Sequence, residues 1–198
     1  MSKSDQDELD DSRSSGRGGP AAFLRGIWYS PFRRFVLLFC LYLGAVGLAY
    51  PELRSQLPGF VQWASEQTSR VVYWMLLPFT SEASQSGKML TFHGFSVSII
   101  EECIGVYEML IFAAGVLAFP ASARSRALGL LMGLPLLYAI NVARILMLVV
   151  VGHFAPEYFD FMHLYFWQAT LILMITGVWL LWLYVIVRND PKSLPHRA

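Results

Sequence analysis

Charged residues and cysteines are both scarce in this sequence. Charged residues occupy only 15% of its 198 positions, and hydrophobic residues occupy 56%, whereas soluble domains average about 25% charged residues. The apolar residues lie in long blocks, and the mean hydropathy is +0.49. An ordinary soluble domain is therefore excluded. The net charge of +1 gives no indication of nucleic acid binding, so we expect no nucleic acid partner.

Four apolar blocks are candidates for membrane spans. The clearest is 164–187, a run of 24 residues without a formal charge. At about 1.5 Å per residue, such a helix crosses a hydrocarbon core of about 30 Å. The other three blocks are 127–151, 104–119 and 35–50. The sequence thus predicts an all-α polytopic membrane protein with four transmembrane helices, or five to six if a re-entrant or interfacial helix is counted.

Basic residues are concentrated in alternate segments between these blocks. They precede the first span, separate the second from the third, and follow the fourth: Arg25, Arg33, Arg34, Arg124, Arg126, Arg188 and Lys192. Segments rich in arginine and lysine stay on the cytoplasmic side. We therefore predict that both termini are cytoplasmic and that the segments 51–100 and 152–163 face outward.

The sequence divides into a polar tail and one membrane domain. Residues 1–24 are rich in Ser, Asp and Gly, which predicts a disordered cytoplasmic tail; residues 25–198 form a single transmembrane domain. Its outward segment 57–100 begins with 57–80, predicted to be an amphipathic helix lying in the outer interface. A re-entrant helix or a further span is the alternative. A short hairpin around His93 and Gly94 follows.

Three chemically distinctive residues are predicted to lie towards the outer side. Cys103 begins the second span, Arg144 lies about 10 Å below the outer end of the third, and His163 precedes the fourth. Cys40 lies about 15 Å below the outer end of the first span, which excludes a disulfide with Cys103 because a bridge allows a Cα separation of only about 7 Å.

A thiol, an imidazole and a buried guanidinium together suggest covalent catalysis. The thiolate of Cys103 would attack a carbonyl, an imidazole would move the proton, and Arg144 would stabilise the oxyanion. Each residue also has a structural interpretation. Cys103 would be a small hydrophobe, His163 an interfacial anchor, and Arg144 the partner of Glu108 in an ion pair. His93 and His153 are rival imidazoles, but we expect both to lie on loops.

Four neighbouring residues are candidates for supporting roles. Asn141, one turn below Arg144, is positioned to orient it. Tyr107, one turn below Cys103, is better explained by core packing. Glu101 and Glu102 would bind a cationic group, orient the histidine, or remain solvated interfacial charges.

Three stretches resemble the motifs of a known family. "ECIGVYEMLIFAAGVLAFP", "LLYAINVARILML" and "FMHLYFWQATLIL" resemble, in order, the Cys, Arg and His motifs of the exosortase/archaeosortase membrane proteins. The short chain and the turn "FPASARSRALG" look most like the compact exosortase H type. The resemblance covers about residues 90–187.

The resemblance implies a cysteine protease or transpeptidase that needs no cofactor or metal. Such an enzyme lies in the bacterial inner membrane and cleaves, at the periplasmic face and through a thioester, the C-terminal sorting signal of exported proteins. That signal comprises a short motif, a transmembrane helix and a basic cluster. Carried over, Cys103 is the nucleophile, Arg144 the oxyanion stabiliser and His163 the acid/base.

Two alternatives remain open at this point. Hydrolysis without transfer would share the acyl-enzyme, and the acceptor nucleophile is unknown. A non-catalytic membrane assembly factor or transporter subunit would instead use Arg144, Asn141 and Glu108 as a buried network that fixes helix packing.

Overall fold

The computed structural model describes residues 31–190. The chain divides into two compact units, one ending at Leu38 and the other beginning at Phe39. Of the first unit, residues 31–38 are described, and they are helical. The predicted tail 1–24, together with Arg25 and Lys192, lies outside the described residues.

Helices form most of the described chain, with one small sheet. The elements in order are α1 (Pro31–Gln56), α2 (Pro58–Leu76), β1 (Ala83–Ser86), β2 (Met89–Phe92), β3 (Phe95–Ser98), α3 (Glu101–Ile104), α4 (Val106–Ala118), α5 (Ala123–Phe154) and α6 (Trp167–Trp182). Between α5 and α6 lie a 3₁₀ turn (Pro156–Tyr158), a short helical turn (Phe159–Phe161) and a wide π-helical turn (Met162–Phe166), and a second π-helical turn (Leu183–Val187) follows α6.

The described helices fit the predicted class. Three of them contain stretches long and apolar enough to cross a membrane: Pro31–Gln56, Ala123–Phe154 and Ala169–Val187. A fourth apolar helix, Val106–Ala118, is shorter; its 13 residues extend about 20 Å. The prediction of an all-α polytopic membrane protein is confirmed.

Helix α2 is amphipathic, with its polar stripe turned towards the protein. Ser65, Thr68 and Ser69 are buried, whereas Trp63 and Trp74 are more than half exposed. Aromatic side chains on an outer surface suit the membrane interface. The predicted helix at 57–80 is therefore confirmed, and its placement relative to the bilayer stays a prediction.

The sheet is antiparallel, in the order β1-β2-β3. The predicted hairpin is present: Phe92 pairs with Phe95 across a two-residue turn in which His93 and Gly94 have φ angles of 46° and 83°. Two successive positive φ angles are typical of the tight turns that join antiparallel strands. The sequence did not predict β1, because "ASQS" is polar and lacks apolar alternation.

The two outward-predicted segments meet at one end of the bundle, here called the sheet end. The ring of His93 lies 5.1 Å from that of His153, and a Cβ added to Gly152 would lie 2.3 Å from the ring of Phe95. The sheet thus packs on the last turns of α5.

The opposite end is tied together by hydrogen bonds around the start of α5. The Ser122 hydroxyl caps the helix by accepting from the Ser125 backbone N–H at 3.1 Å, as small polar residues commonly do. Both hydroxyls bond the carboxylate of Asp190. Trp182 Nε1 donates to the Ser125 carbonyl at 2.8 Å. These bonds fix α6 and its extension against α5.

Two buried clusters form the core. The first joins α2, the sheet, α3 and α5: Val72, Leu76, Leu90, Phe92, Ile99, Cys103, Val142, Ile145 and Val149. The second joins α4, α5, α6 and the π-helical turn that follows α6: Phe112, Val116, Leu137, Val178, Trp182 and Val187. Helix α5 contributes to both clusters and therefore lies at the centre of the packing.

Two glycines, four residues apart on α5, allow its neighbours to approach closely. A Cβ on Gly133 would lie 2.3 Å from the Phe112 ring, and one on Gly129 would lie 2.4 Å from the Trp182 indole. Small residues at this spacing are a common contact surface between membrane helices.

We predict that Gly133→Ala lowers stability, because Phe112 is fully buried and has no room to yield. Overpacking of this kind costs about 1–3 kcal/mol. The matched control is Gly177→Ala, since nothing lies within 4 Å of a Cβ built there. Thermal unfolding midpoints in detergent should fall for the first variant and stay level or rise for the second. A Gly133→Ala midpoint equal to that of the parent protein would contradict the close contact between Gly133 and Phe112.

Candidate active site

Cys103 is carried by a single helical turn. Its backbone N–H donates to the Ile100 carbonyl at 2.9 Å, and its own carbonyl accepts from Asn141 Nδ2 at 2.6 Å. The residue is 7% exposed, and no disulfide joins it to the exposed Cys40. The thiol therefore lies just below the protein surface, held from two sides through its backbone.

Gly105 breaks the helix directly after this turn. Its φ of 78° and ψ of 16° lie in the left-handed region, which disfavours residues that carry a Cβ. The prediction that Tyr107 lies one turn below Cys103 assumed a continuous helix, which Gly105 interrupts. Tyr107 is 44% exposed and its ring lies 5.6 Å from that of Tyr50, so core packing is not its role.

Cys103 and His163, sixty residues apart in sequence, line the same cavity. Its volume is about 190 Å³, and a water molecule in the liquid occupies about 30 Å³, so the cavity has room for a small group of atoms. The remaining walls come from β3 and its exit, from α5 and from the turn before α6: Val97, Ser98, Ile99, Ile100, Ile145, Leu148, Val149 and Phe159. A thiol and an imidazole thus share one mostly apolar chamber.

His163 lies within the π-helical turn Met162–Phe166. The sequence predicted it at the very start of the helix, but helical structure begins one turn earlier, at Phe159. The imidazole stacks on the Phe159 ring with centroids 5.7 Å apart and planes 5° from parallel. Wide turns of this kind occur frequently at functional sites, because they redirect side chains without ending the helix.

The two rival histidines lie elsewhere and do not line this cavity. His153 was predicted on a loop, which is wrong: it belongs to α5, which ends at Phe154. His93 Nδ1 lies 2.7 Å from a Glu82 carboxylate oxygen, and its Nε2 lies 3.0 Å from the Thr80 hydroxyl. Both ring nitrogens of His93 are therefore engaged.

Arg144 is buried in α5, with 5% of its surface exposed. It lies ten residues, about 15 Å, before the helix end. Within the described chain its Nε and Nη1 have no hydrogen-bond partner, and neither Glu108 nor any other carboxylate there forms an ion pair with it. The ion pair with Glu108, the alternative interpretation, is thus not formed in the described chain. A buried donor without a partner costs folding free energy. An acceptor from outside the described chain would therefore stabilise this guanidinium.

Arg144 does not itself line the cavity of Cys103, but the next residue, Ile145, does. Asn141 lies one turn away on the same helix, where residues three apart are neighbours. The sequence predicted that Asn141 orients Arg144. The structure instead directs Asn141 Nδ2 to the Cys103 carbonyl, while Asn141 Oδ1 has no partner in the described chain.

Glu101 forms an ion pair with Arg54, near the end of α1. It therefore binds a cation of its own chain, a partner that the sequence did not identify. Both residues line a second, more polar cavity of about 520 Å³, together with Glu66 and Lys88. Of Glu102, the structure describes the backbone alone, in α3.

Taken together, the fold and site define a multi-pass membrane protein with a thiol and an imidazole in one chamber and a buried guanidinium nearby. The family described as transmembrane exosortase (EpsH) matches residues 22–183, most of the chain. The protein belongs to this family, which confirms the resemblance drawn from its motifs and places it among membrane protein-sorting transpeptidases in general. No curated protein and no solved structure matches the chain.

We predict that Arg144→Lys is nearly as damaging as Arg144→Ala. A guanidinium presents a planar pair of donors, whereas an ammonium is a point charge with a different reach. The sequence predicts that Arg144 stabilises an oxyanion, and losing such a donor costs on the order of 10²–10³ in rate. Processing of an exported substrate should be measured at matched membrane levels, with Arg126→Lys, in the first turn of the same helix, as the control. Near-normal processing by Arg144→Lys would show that charge alone suffices.

Proposed function

We propose that this protein is a cysteine transpeptidase that cleaves the C-terminal sorting signal of exported proteins. The observation that carries this proposal is the shared cavity of Cys103 and His163. A thiol becomes a strong nucleophile when a base takes its proton, and the fold brings these two groups to one chamber from distant parts of the chain.

The reaction proceeds in two steps through Cys103. His163 takes the thiol proton, and the sulfur attacks the scissile carbonyl carbon of the substrate. The tetrahedral intermediate collapses when the C–N bond breaks, His163 returns the proton to the departing amine, and a thioester remains on sulfur. An acceptor nucleophile, or water, then attacks the thioester carbonyl and regenerates the thiol.

Arg144 stabilises the oxyanion of this intermediate. Its buried Nε and Nη1 supply two donors in a low-dielectric setting, where such bonds gain strength. Arg144 and Asn141 lie one turn apart on α5, and Asn141 bonds the carbonyl of the nucleophile Cys103. The helix that carries Arg144 is therefore held against the turn that carries the thiol.

The substrate reaches this site from the membrane. By the positive-inside distribution of arginines, both termini are cytoplasmic and the sheet end faces the periplasm of the bacterial inner membrane. A substrate that ends in a short motif, a transmembrane helix and a basic cluster would place its helix in the bilayer and its motif at that end. Transfer and hydrolysis share the same thioester, so the acceptor decides between them.

The competing proposal is a non-catalytic assembly factor or transporter subunit with a structural network of Arg144, Asn141 and Glu108. Such a network requires Glu108 as the counter-charge. Within the described chain Arg144 forms no ion pair, which favours the enzyme over the scaffold.

We predict that Cys103→Ala abolishes processing while leaving the protein inserted, because replacing a thiol by a hydrogen on Cβ is a small change. Cys40→Ala serves as the control, since Cys40 is exposed on α1 away from the cavity. Immunoblots of a co-expressed substrate would show accumulated precursor for the first variant and mature product for the second. Normal processing by Cys103→Ala would refute the proposed mechanism.

His163→Ala should lower turnover by a factor on the order of 10²–10⁴, the usual effect of removing a general base, and His93→Ala or His153→Ala by less than about tenfold. Both controls alter the sheet end without touching the cavity of Cys103. Processing rates of the three variants are compared at equal membrane abundance. A greater loss for His153→Ala than for His163→Ala would overturn the assignment.

A further inference from the structure

We propose that Asn141 is a positioning residue whose side-chain amide clamps the one-turn helix α3 and thereby sets the position of the Cys103 thiol. This inference rests on the proposed function, because it concerns the residue that is proposed as nucleophile. Asn141 itself is 3% exposed and acts through the backbone of Cys103.

The hydrogen-bond ladder explains why a clamp is needed here. In a continuous helix, the Cys103 carbonyl would accept from the backbone N–H four residues later. The left-handed Gly105 interrupts that ladder directly after the turn, and the carbonyls at a helix C-terminus are commonly bonded by groups from outside the helix. Asn141 Nδ2 is such a group and donates to the Cys103 carbonyl at 2.6 Å. Since a carbonyl only accepts, the amide nitrogen must face it, which also fixes the orientation of the Asn141 side chain.

Gly105 also lies against the side chain of Asn141. A Cβ on Gly105 would lie 3.1 Å from Asn141 Cγ and 3.2 Å from Nδ2. The short distance shows that the amide lies directly against the glycine backbone. Helix α5 thus contacts two consecutive turns, the one that carries the thiol and the break that follows it.

A turn of four residues cannot hold a catalytic group by itself. Isolated short helices are unstable, because one or two hydrogen bonds do not offset the ordering of the backbone. A displacement of about 1 Å can cost on the order of 10²-fold in rate. The amide clamp therefore stabilises the short turn and fixes it to α5, the helix that also carries Arg144.

The test uses the full-length protein with Cys40→Ala, so that Cys103 is the remaining thiol. Asn141→Leu keeps the branched shape of the side chain and removes the donor. We expect kcat for substrate processing to fall on the order of 10²-fold with KM unchanged. Alkylation of Cys103 by iodoacetamide should become several-fold faster, because the released turn exposes the thiol. Gly105→Ala, whose Cβ would press on the Asn141 amide, should give the same pair of changes.

Tyr138→Phe is the matched control. It lies one turn from Asn141 on α5 and loses a hydroxyl that lies 3.4 Å from Thr68 Oγ1, so it removes a polar contact and leaves the bond to the Cys103 carbonyl in place. Both its kcat and its alkylation rate should stay at the parent values.

Three results would overturn the clamp. A raised KM with unchanged kcat in Asn141→Leu would mean that Asn141 contacts the substrate. Equal effects of Asn141→Leu and Tyr138→Phe would indicate general loosening. Unchanged alkylation rates in both Asn141→Leu and Gly105→Ala would show that the turn holds itself. Alkylation needs no substrate, so the clamp remains testable even if Cys103→Ala still processes substrate and the proposed function fails. If Asn141→Leu does not insert, Gly105→Ala decides.

Discussion

Close packing along α5 is the constraint on which the rest of the structure depends. Glycines on this helix admit the Phe112 and Trp182 rings at distances that any larger residue would block, and both buried clusters include α5 residues. Without a hydrophobic drive between helices in lipid, association depends on such close contacts and on buried polar bonds. The position of every proposed site residue therefore follows from how its element meets this helix.

The sheet end shows how this packing produces a site. Helix α5 supplies Arg144 and a wall of the chamber, the turn after β3 supplies Cys103, and the wide turn before α6 supplies His163. Each of these two turns contains or adjoins a local irregularity. The turn of Cys103 ends at the left-handed Gly105, and His163 lies in a π-helical turn. Irregular backbone within a membrane protein is tolerated where it is buried in protein or lines a cavity, and both breaks lie beside the same chamber.

The sequence was sufficient for the broad architecture because an apolar run extends over about twenty residues at a time. The membrane class, the amphipathic α2 and the β2–β3 hairpin were all predicted correctly. It was insufficient where a single residue changes the direction of the chain. The break at Gly105 altered the role of Tyr107, and the extension of α5 to Phe154 placed His153 on a helix. The bond from Asn141 to the Cys103 carbonyl joins residues 38 positions apart, and no periodicity reports such a contact.

The covalent intermediate tests the central claim most directly. Protein incubated with substrate, quenched in acid and digested should yield the Cys103 peptide joined through a thioester to the substrate peptide that ends at the scissile carbonyl, on the N-terminal side of the cleaved bond. Mass spectrometry should detect this adduct, and hydroxylamine, which cleaves thioesters, should release it. The result that would contradict the account is continued substrate cleavage while the Cys103 peptide keeps its unmodified mass throughout turnover.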